Sequence, residues 1–250
     1  MTQSSLCLHA GGQLVTLDEL AQYRAPPPEG RWFPVSHSRV LETVRGTLHE
    51  AGYEVKKECL ALSKDGQRFF GTLDLSTSVA SGVCLAVGVR NSTDKSFPLG
   101  FCAGERVFVC DNLAFHSELM VRRKHTLHGE ARFSAAIADA VVGLGTFREE
   151  QEHRIKRLQH MELPPEVSDS LILRSFERGI INSHQLPKVI KEWREPSFEE
   201  FQDKTAWSLL NAYTTVLRDR ATSHPTQFAA QTMRLHAILD DARKEYFTAV

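Results

Sequence analysis

A cluster of basic side chains near the middle of the chain is the group whose chemistry is easiest to interpret. Its members are Arg122, Arg123, Lys124, His125, His128 and Arg132. Arginine offers forked donors that match phosphate oxygens, and lysine offers a compact charge. Three consecutive cations also place positive charge on both faces of a strand, so we expect this strand end to project from its sheet. The cluster therefore predicts a basic rim that binds phosphate.

Aromatic residues near the cluster indicate which phosphate-containing ligand it takes. Phe101, Phe108 and Phe115 offer flat faces on which bases can stack. Basic grooves with stacking faces are typical of proteins that bind single-stranded nucleic acid. A structural interpretation stays open, in which the cluster is a solvated strand end paired with nearby carboxylates. The candidates for such pairing are Glu118, Glu130, Glu149 and Glu150.

A second polar segment directly follows an apolar, strand-like stretch. It contains Asn91, Ser92, Asp94 and Lys95. Short polar side chains turn the backbone and present amides and hydroxyls, so we predict that these residues shape a loop that holds a sugar-phosphate backbone. Asn112 is predicted to face the same ligand. For both segments the alternative is structural: a tight turn in the first case and a cap in the second.

Five ionisable residues in the same region keep an enzymatic interpretation open. They are Asp94, Asp111, His116, His125 and His128. Carboxylates and imidazoles from neighbouring strands can hold a divalent metal, so a metal-dependent nuclease or related hydrolase is our alternative. Their spacing does not match the zinc-peptidase motif, and the chain has no Gly-Lys-Ser/Thr phosphate loop. We therefore assign no catalytic residue, no metal ligand and no cofactor.

Turn-forming and alternating residues predict the sheet that positions these groups. Asp65-Gly66 lies between the strand-like segments 53–62 and 67–75 and predicts a hairpin. These strands belong to a mostly antiparallel sheet. Its further strands are predicted at 83–89, 106–110 and 119–127.

Helical periodicity predicts the remaining elements. Apolar residues recur at helical spacing over 40–51 and stop at Gly52, which indicates a helix before the sheet. From Glu130 one long helix is predicted, interrupted at most around Gly143, and Ser197 is predicted to cap a later helix. We therefore predict an α+β protein: an antiparallel sheet with one preceding helix and a helical C-terminal half packed on it.

Three consecutive prolines end an N-terminal arm, because proline removes backbone donors and fixes φ. We assign residues 1–30 to this arm and its Pro-rich linker, residues 31–130 to a sheet-containing core with the polar site, and residues 131–250 to a helical layer of the same domain. Within the arm, Thr16 and Glu19 have the spacing of a capping box, which predicts a short helix.

Composition restricts the class of protein. The 250 residues are 42% hydrophobic, enough for a folded core, and no apolar stretch is long enough for a membrane helix. The start lacks the features of a secretory signal, so we expect a cytoplasmic protein without a membrane partner. The 5 cysteines form no Cys-x-x-Cys pair and predict reduced thiols. A formal charge of -1 means that attraction to nucleic acid must be local.

Five sequence blocks resemble a known family. The blocks are Arg31-x-x-Pro34-Val-x-His37, Gly88-x-x-Asn91-Ser-x-Asp94-Lys-Ser96, Val107-Phe-Val-Cys-Asp-Asn112, Arg123-Lys-His125 and Asp203-Lys-Thr-x-Trp207-x-x-Leu-Asn211-Ala212. In this order they resemble the phage- and plasmid-like prokaryotic proteins grouped as domain-of-unknown-function family 932. The resemblance spans nearly the whole chain. It implies a mobile-element setting and brings no established catalysis.

From these observations we expect a nucleic-acid-binding protein of a phage- or plasmid-like element. Its predicted partner is single-stranded DNA, bound through the basic rim. Two alternatives stay open beside it: the metal-dependent hydrolase described above, and a structural or assembly protein whose helical face binds a partner. The sequence leaves a homo-oligomer open as well.

Overall fold

The structure, a computed structural model, describes residues 12–80, 82–107, 112–223 and 225–246. The N-terminal half contains two helices and all six described strands, five of which follow one another directly, and the C-terminal half is helical. The elements are β1 (Gln13–Leu14), α1 (Leu17–Gln22), α2 (His37–Glu50), β2 (Val55–Leu62), β3 (Arg68–Ala80), β4 (Val83–Ser92), β5 (Leu99–Val107), β6 (Asn112–Arg123), α3 (Gly129–Val142), α4 (Leu144–His160), α5 (Pro165–Glu177), α6 (Leu186–Arg194), α7 (Ala206–Ser223) and α8 (Pro225–Tyr246). A 3-10 turn, Glu199–Phe201, precedes α7.

The six strands form one antiparallel sheet in chain order, from β1 at one edge to β6 at the other. Because successive strands run in opposite directions, every second connection lies at the same end of the sheet. The turn 63–67, the loop 93–98 and the segment 124–128 therefore share one end. We call it the polar end.

Side-chain alternation gives the sheet one apolar face, here called the core face. Phe69, Val87, Phe101 and Val121 point to this face and are buried. They belong to one apolar core with residues of α2, α3 and α4, which contact β4, β6 and β3 respectively. At the polar end, the other face carries Arg90 and is less covered. We call it the second face.

The predicted α+β architecture and the antiparallel sheet are confirmed. The Asp65-Gly66 hairpin is present, with Gly66 at a φ of 69°, a conformation that favours glycine. The capping box of Thr16 and Glu19 also forms. The arm contributes more than predicted, since β1 extends the sheet and α1 is a second helix that precedes strands β2 to β6.

Several predicted boundaries were wrong. The predicted strand 119–127 is instead β6, which starts earlier and ends at Arg123. The interruption that was allowed for around Gly143 is present and divides the predicted long helix into α3 and α4. The helix predicted from Ser197 starts only at Ala206. The local reason is Thr205, whose hydroxyl accepts a hydrogen bond from the backbone of Ser208 at 3.3 Å, as expected near a helix start.

The C-terminal helices form a layer that also contacts the sheet. Helices α7 and α8 contact β6, and α7 contacts α4 and α6. Leu209, Leu210 and Tyr213 of α7 are buried in the same core as the sheet residues. Across the described part of the chain, none of the helices is both long and apolar enough to cross a membrane.

Candidate nucleic-acid interface

Asn91, near the end of β4, is fully buried and holds three segments together. Its Nδ2 atom donates to the Val35 carbonyl at 2.8 Å and lies 3.0 Å from Nδ1 of His37. The other ring nitrogen of His37, Nε2, lies 3.0 Å from the carbonyl of Gly66. A neutral ring that carries its proton on Nε2 satisfies both contacts, because Nε2 then donates and Nδ1 accepts. The segment before α2, strand β4 and the hairpin turn are therefore linked at the polar end.

The next residues of this segment also bond within the protein. Ser92 is buried, and its hydroxyl donates to the Phe97 carbonyl at 2.8 Å. Asp94 accepts from Nε of Arg68 at 2.7 Å and from the backbone of Ser96 at 2.9 Å. Burial acts to raise the pKa of Asp94, but hydrogen bonds from Ser96 and Arg68 outweigh it and lower the pKa to about 2. These contacts fix the shape of the loop, as the turn interpretation predicted.

Lys95 fastens the Pro-rich segment to this loop. Its ammonium group lies 2.5 Å from a carboxylate oxygen of Glu29 and 4.9 Å from the ring centre of Trp32. An open cleft of about 560 Å³ lies between the Pro-rich segment, the hairpin turn and the loop. Its lining is mixed in charge and includes Trp32, Asp94 and Lys95, together with Arg24. The cleft therefore has no excess of positive charge to attract phosphate.

His125 belongs to the segment that follows β6, and it is buried. Its carbonyl accepts a hydrogen bond from the backbone of Phe33 at 3.1 Å, and its ring lies 6.5 Å from that of Trp32. Neither ring nitrogen has a hydrogen bond of ordinary geometry to a described residue. Burial lowers the pKa of the His125 ring, while the nearby Phe97 backbone acts in the opposite direction. The ring is therefore neutral at pH 7 and adds no positive charge.

Four cations of the predicted cluster are exposed, and we call them the basic rim: Arg122, Arg123, Lys124 and Arg132. Within the described residues, none of the four pairs with a carboxylate. Glu130, a predicted partner, instead binds Arg39 at 2.7 Å, and Glu149 lies beside Arg148. The side chain of Glu118, another predicted partner, lies outside the described residues. His128 is exposed next to the rim, at the start of α3.

Two predicted members of the site are not brought to the polar end. Asn112 starts β6 and pairs with Val107, so most of a 12-residue strand separates it from Arg123. At the rise of an extended strand this is roughly 35 Å. Phe101 points to the core face and is buried, so its ring is not available for stacking. Phe108 lies outside the described residues, as does the side chain of Phe115.

The residues predicted as possible metal ligands do not form a metal site among the described residues. Asp94 is bonded to Arg68, and His125 is buried. Asp111 and the side chain of His116 lie outside the described residues. Among the side chains that the structure describes, no three His, Cys, Asp or Glu residues converge as metal ligands do.

Comparison with known families identifies the chain. Residues 28–239 match the family described as Domain of unknown function (DUF932). The chain belongs to this family. No curated protein and no solved structure matches it.

In this DUF932 member, the second face at the polar end holds groups that sequence reasoning missed. Arg90 is half-buried, and its guanidinium carbon lies 5.4 Å from the ring centre of Phe97. The Phe97 ring in turn lies 5.3 Å from that of Phe70. Through the strand pairing, Arg90 lies across Gly100 from Arg122. The sequence signal was weak, because these residues come from four separate segments.

Proposed function

We propose that this protein binds nucleic acid without acting on it chemically, and that its ligand is single-stranded DNA held at the polar end. The observation that carries the proposal is the lack of described carboxylate partners around the exposed basic rim. Nearby cations such as Arg39, Arg68 and Lys95 are each paired with an acidic residue. Exposed cations that follow one another along the chain, with no described carboxylate beside them, create the local positive potential that a phosphate backbone requires.

Two features favour a single strand over a duplex. Phe97 and Trp32 are only partly buried and lie at the polar end, where unstacked bases can contact the exposed parts of their rings. The rim also follows the end of a strand and the first turn of α3, so it forms a short irregular surface. It does not present a helix shaped to enter a major groove. This surface is better suited to contacting the sugar-phosphate backbone and stacking against bases than to recognising base edges.

The biological setting of the protein, meaning its genetic element and its location in the cell, is part of the same proposal. A phage- or plasmid-like element and a cytoplasmic location both agree with a protein that handles single-stranded DNA. Here the support is the resemblance of the sequence blocks to proteins of such elements. The proposal leaves the bound sequence unspecified, because contacts to phosphate carry no sequence information.

The test is fluorescence anisotropy of a labelled oligothymidylate, titrated with protein at several salt concentrations. A variant with Arg122, Arg123 and Lys124 replaced by Gln is compared with a matched variant. The matched variant removes three exposed positive charges from helices α4 and α6: Arg157, Lys188 and Lys191. We expect the rim variant alone to bind more weakly, and its salt slope to fall by about 2, since about 0.7 is lost for each phosphate contact.

Three outcomes would contradict the proposal. Equal losses in the two variants would show that only net charge matters. No binding by folded wild-type protein would remove the function altogether. Cleavage of the labelled strand that requires divalent metal would replace binding with the hydrolase alternative, and the same samples run on a denaturing gel detect it.

A further inference from the structure

Two arginines approach each other on the second face at the polar end. Arg90 of β4 is paired across the strands with Gly100 of β5, and Gly100 is paired with Arg122 of β6. Residues paired in this way point to the same face of a sheet. Gly100 therefore stands between two cationic side chains that come from its neighbouring strands.

Gly100 provides the room that this approach needs. A Cβ atom at position 100 would lie 2.8 Å from both Cγ and Nε of Arg90, closer than side chains tolerate. The backbone of Gly100 is not in the left-handed region, so nothing in its conformation requires glycine. Because Gly100 has no side chain, the side chain of Arg90 can lie flat across β5, toward Arg122.

Arg90 has few partners for a half-buried guanidinium. Its guanidinium lies over the ring of Phe97, but no described residue accepts a hydrogen bond from it or forms an ion pair with it. Burial lowers the pKa of Arg90, and the positive charge of Arg122 lowers it further. Two like charges held together at partial burial are unfavourable unless an anion lies between them. The fork of donors on each guanidinium suits phosphate in particular.

We propose that Arg90 and Arg122 together bind one phosphate group, with Phe97 beside it to receive an adjacent base. The site takes a phosphodiester of single-stranded nucleic acid, so this inference rests on the proposed function and names its central contact. Arg90 provides a guanidinium held in place by Phe97, and Arg122 provides an exposed one. The remaining rim cations supply general attraction.

Single substitutions distinguish this site from general attraction. We compare Arg90→Gln and Arg122→Gln with Arg123→Gln in the oligothymidylate titration. Arg123 is the matched control because it is the next residue, is exposed, and points to the opposite face of β6. We expect Arg90→Gln to weaken binding about tenfold, as loss of charge-assisted hydrogen bonds does, and Arg123→Gln to weaken it only about twofold. General attraction predicts the reverse order, since exposed Arg123 is the more accessible charge.

A second substitution tests the geometry while keeping every charge. Gly100→Ala should displace Arg90 and reproduce the loss seen for Arg90→Gln. Its control is Gly145→Ala, since a Cβ atom there meets nothing within 4 Å. Circular dichroism confirms that both variants are folded. Wild-type affinity in folded Gly100→Ala, or equal losses for Arg90→Gln and Arg123→Gln, would overturn the site and leave the proposed function standing.

Failure of the proposed function gives a different result. If wild-type protein binds no oligonucleotide, inorganic pyrophosphate is used as the probe, and thermal unfolding is measured for wild type and Arg90→Gln. Protection of wild type that Arg90→Gln lacks would support the anion site without the nucleic acid. Equal responses, or no response in either protein, would overturn the site as well.

Discussion

At the polar end, two groups of polar side chains lie close together in opposite surroundings. Asn91, His37 and Ser92 are buried, and protein atoms satisfy nearly all of their donors. The basic rim is exposed, and its cations have no described carboxylate partner. The first group therefore determines the shape of the loop, and the second offers charge to a ligand. The contacts that a polar side chain already makes within the protein therefore indicate its role better than its residue type does.

The largest effect that would test this contrast is expected from Asn91→Ala. The substitution leaves the Val35 carbonyl and Nδ1 of His37 without a partner, both in a buried site. We expect a loss of about 3 kcal/mol in the free energy of unfolding, because each unsatisfied buried group costs about 1–3 kcal/mol. Urea denaturation measures it. Lys64→Ala, an exposed change in the adjacent hairpin turn, is the control and should cost less than about 0.5 kcal/mol.

The binding data for Asn91→Ala sharpen the contrast further. At a temperature where the variant is folded, its affinity for oligothymidylate should stay within about threefold of wild type, because the basic rim is intact. A large loss of affinity with unchanged stability would mean that Asn91 contacts the ligand directly. The division between the two groups would then be wrong.

A pH-dependent effect of the next size is expected from His37 and His125. Burial lowers the pKa of both rings below their ordinary 6.5, so the unfolded chain binds more protons than the folded one as the pH falls below that value. Stability is therefore full above pH 6.5 and decreases as the pH falls from 6.5 toward the lowered pKa of each ring. Urea unfolding at pH 7 and pH 5 measures the change.

His125→Phe isolates the contribution of one ring, because phenylalanine keeps an aromatic ring and does not titrate. Since neither nitrogen of His125 makes a hydrogen bond of ordinary geometry to a described residue, the variant should match wild type at pH 7 and lose less stability at pH 5. The same loss in both proteins would contradict the assignment. It would place the pH dependence on other groups.

A smaller loss is expected from Asp94→Asn. The Asp94 to Arg68 pair is partly exposed, so we expect a cost of about 1 kcal/mol at pH 7. With a folded-state pKa of about 2 against an ordinary 3.8, the carboxylate stabilises the fold above that ordinary value. This stabilisation is lost as the pH falls from 3.8 toward 2. Acid unfolding followed by circular dichroism should show this step in wild type and not in the variant.

Local signals made parts of this fold predictable. The Asp65-Gly66 turn, the capping box at Thr16 and the end of α2 before Gly52 depend only on residues close in sequence. The run of cations was visible for the same reason. The start of α7 was not, because Ser197 offers a capping pattern that competes with the one at Thr205.

The arrangement of the site depends on strand register, which the sequence does not reveal. Arg90 and Arg122 meet only because β4, β5 and β6 pair as they do, with an irregularity between Cys102 and Gly104 that changes the register. The burial of Asn91 likewise depends on a contact with the distant His37. Sequence spacing alone grouped Asn91 with Asn112, although strand β6 holds Asn112 far from this end.

The smallest effect on stability is expected from Lys95. This residue lies in the loop 93–98 but carries a positive charge, as the residues of the basic rim do. Lys95 has a φ of 66°, where a residue with a Cβ atom costs about 1 kcal/mol relative to glycine. Lys95→Gly relieves that strain while losing contacts to Glu29 and Trp32, so its stability should stay within about 0.5 kcal/mol of wild type. Lys95→Ala loses the contacts without the relief and should be about 1 kcal/mol less stable than Lys95→Gly.

Because Glu29 already neutralises Lys95, both substitutions should change oligothymidylate affinity less than Arg123→Gln does. Anisotropy measured beside urea denaturation checks both quantities on the same samples. If Lys95→Gly weakened binding as strongly as Arg90→Gln, a paired cation would be acting as a ligand contact. The absence of an acidic partner would then no longer identify the binding residues, and the case for the basic rim would lose its main support.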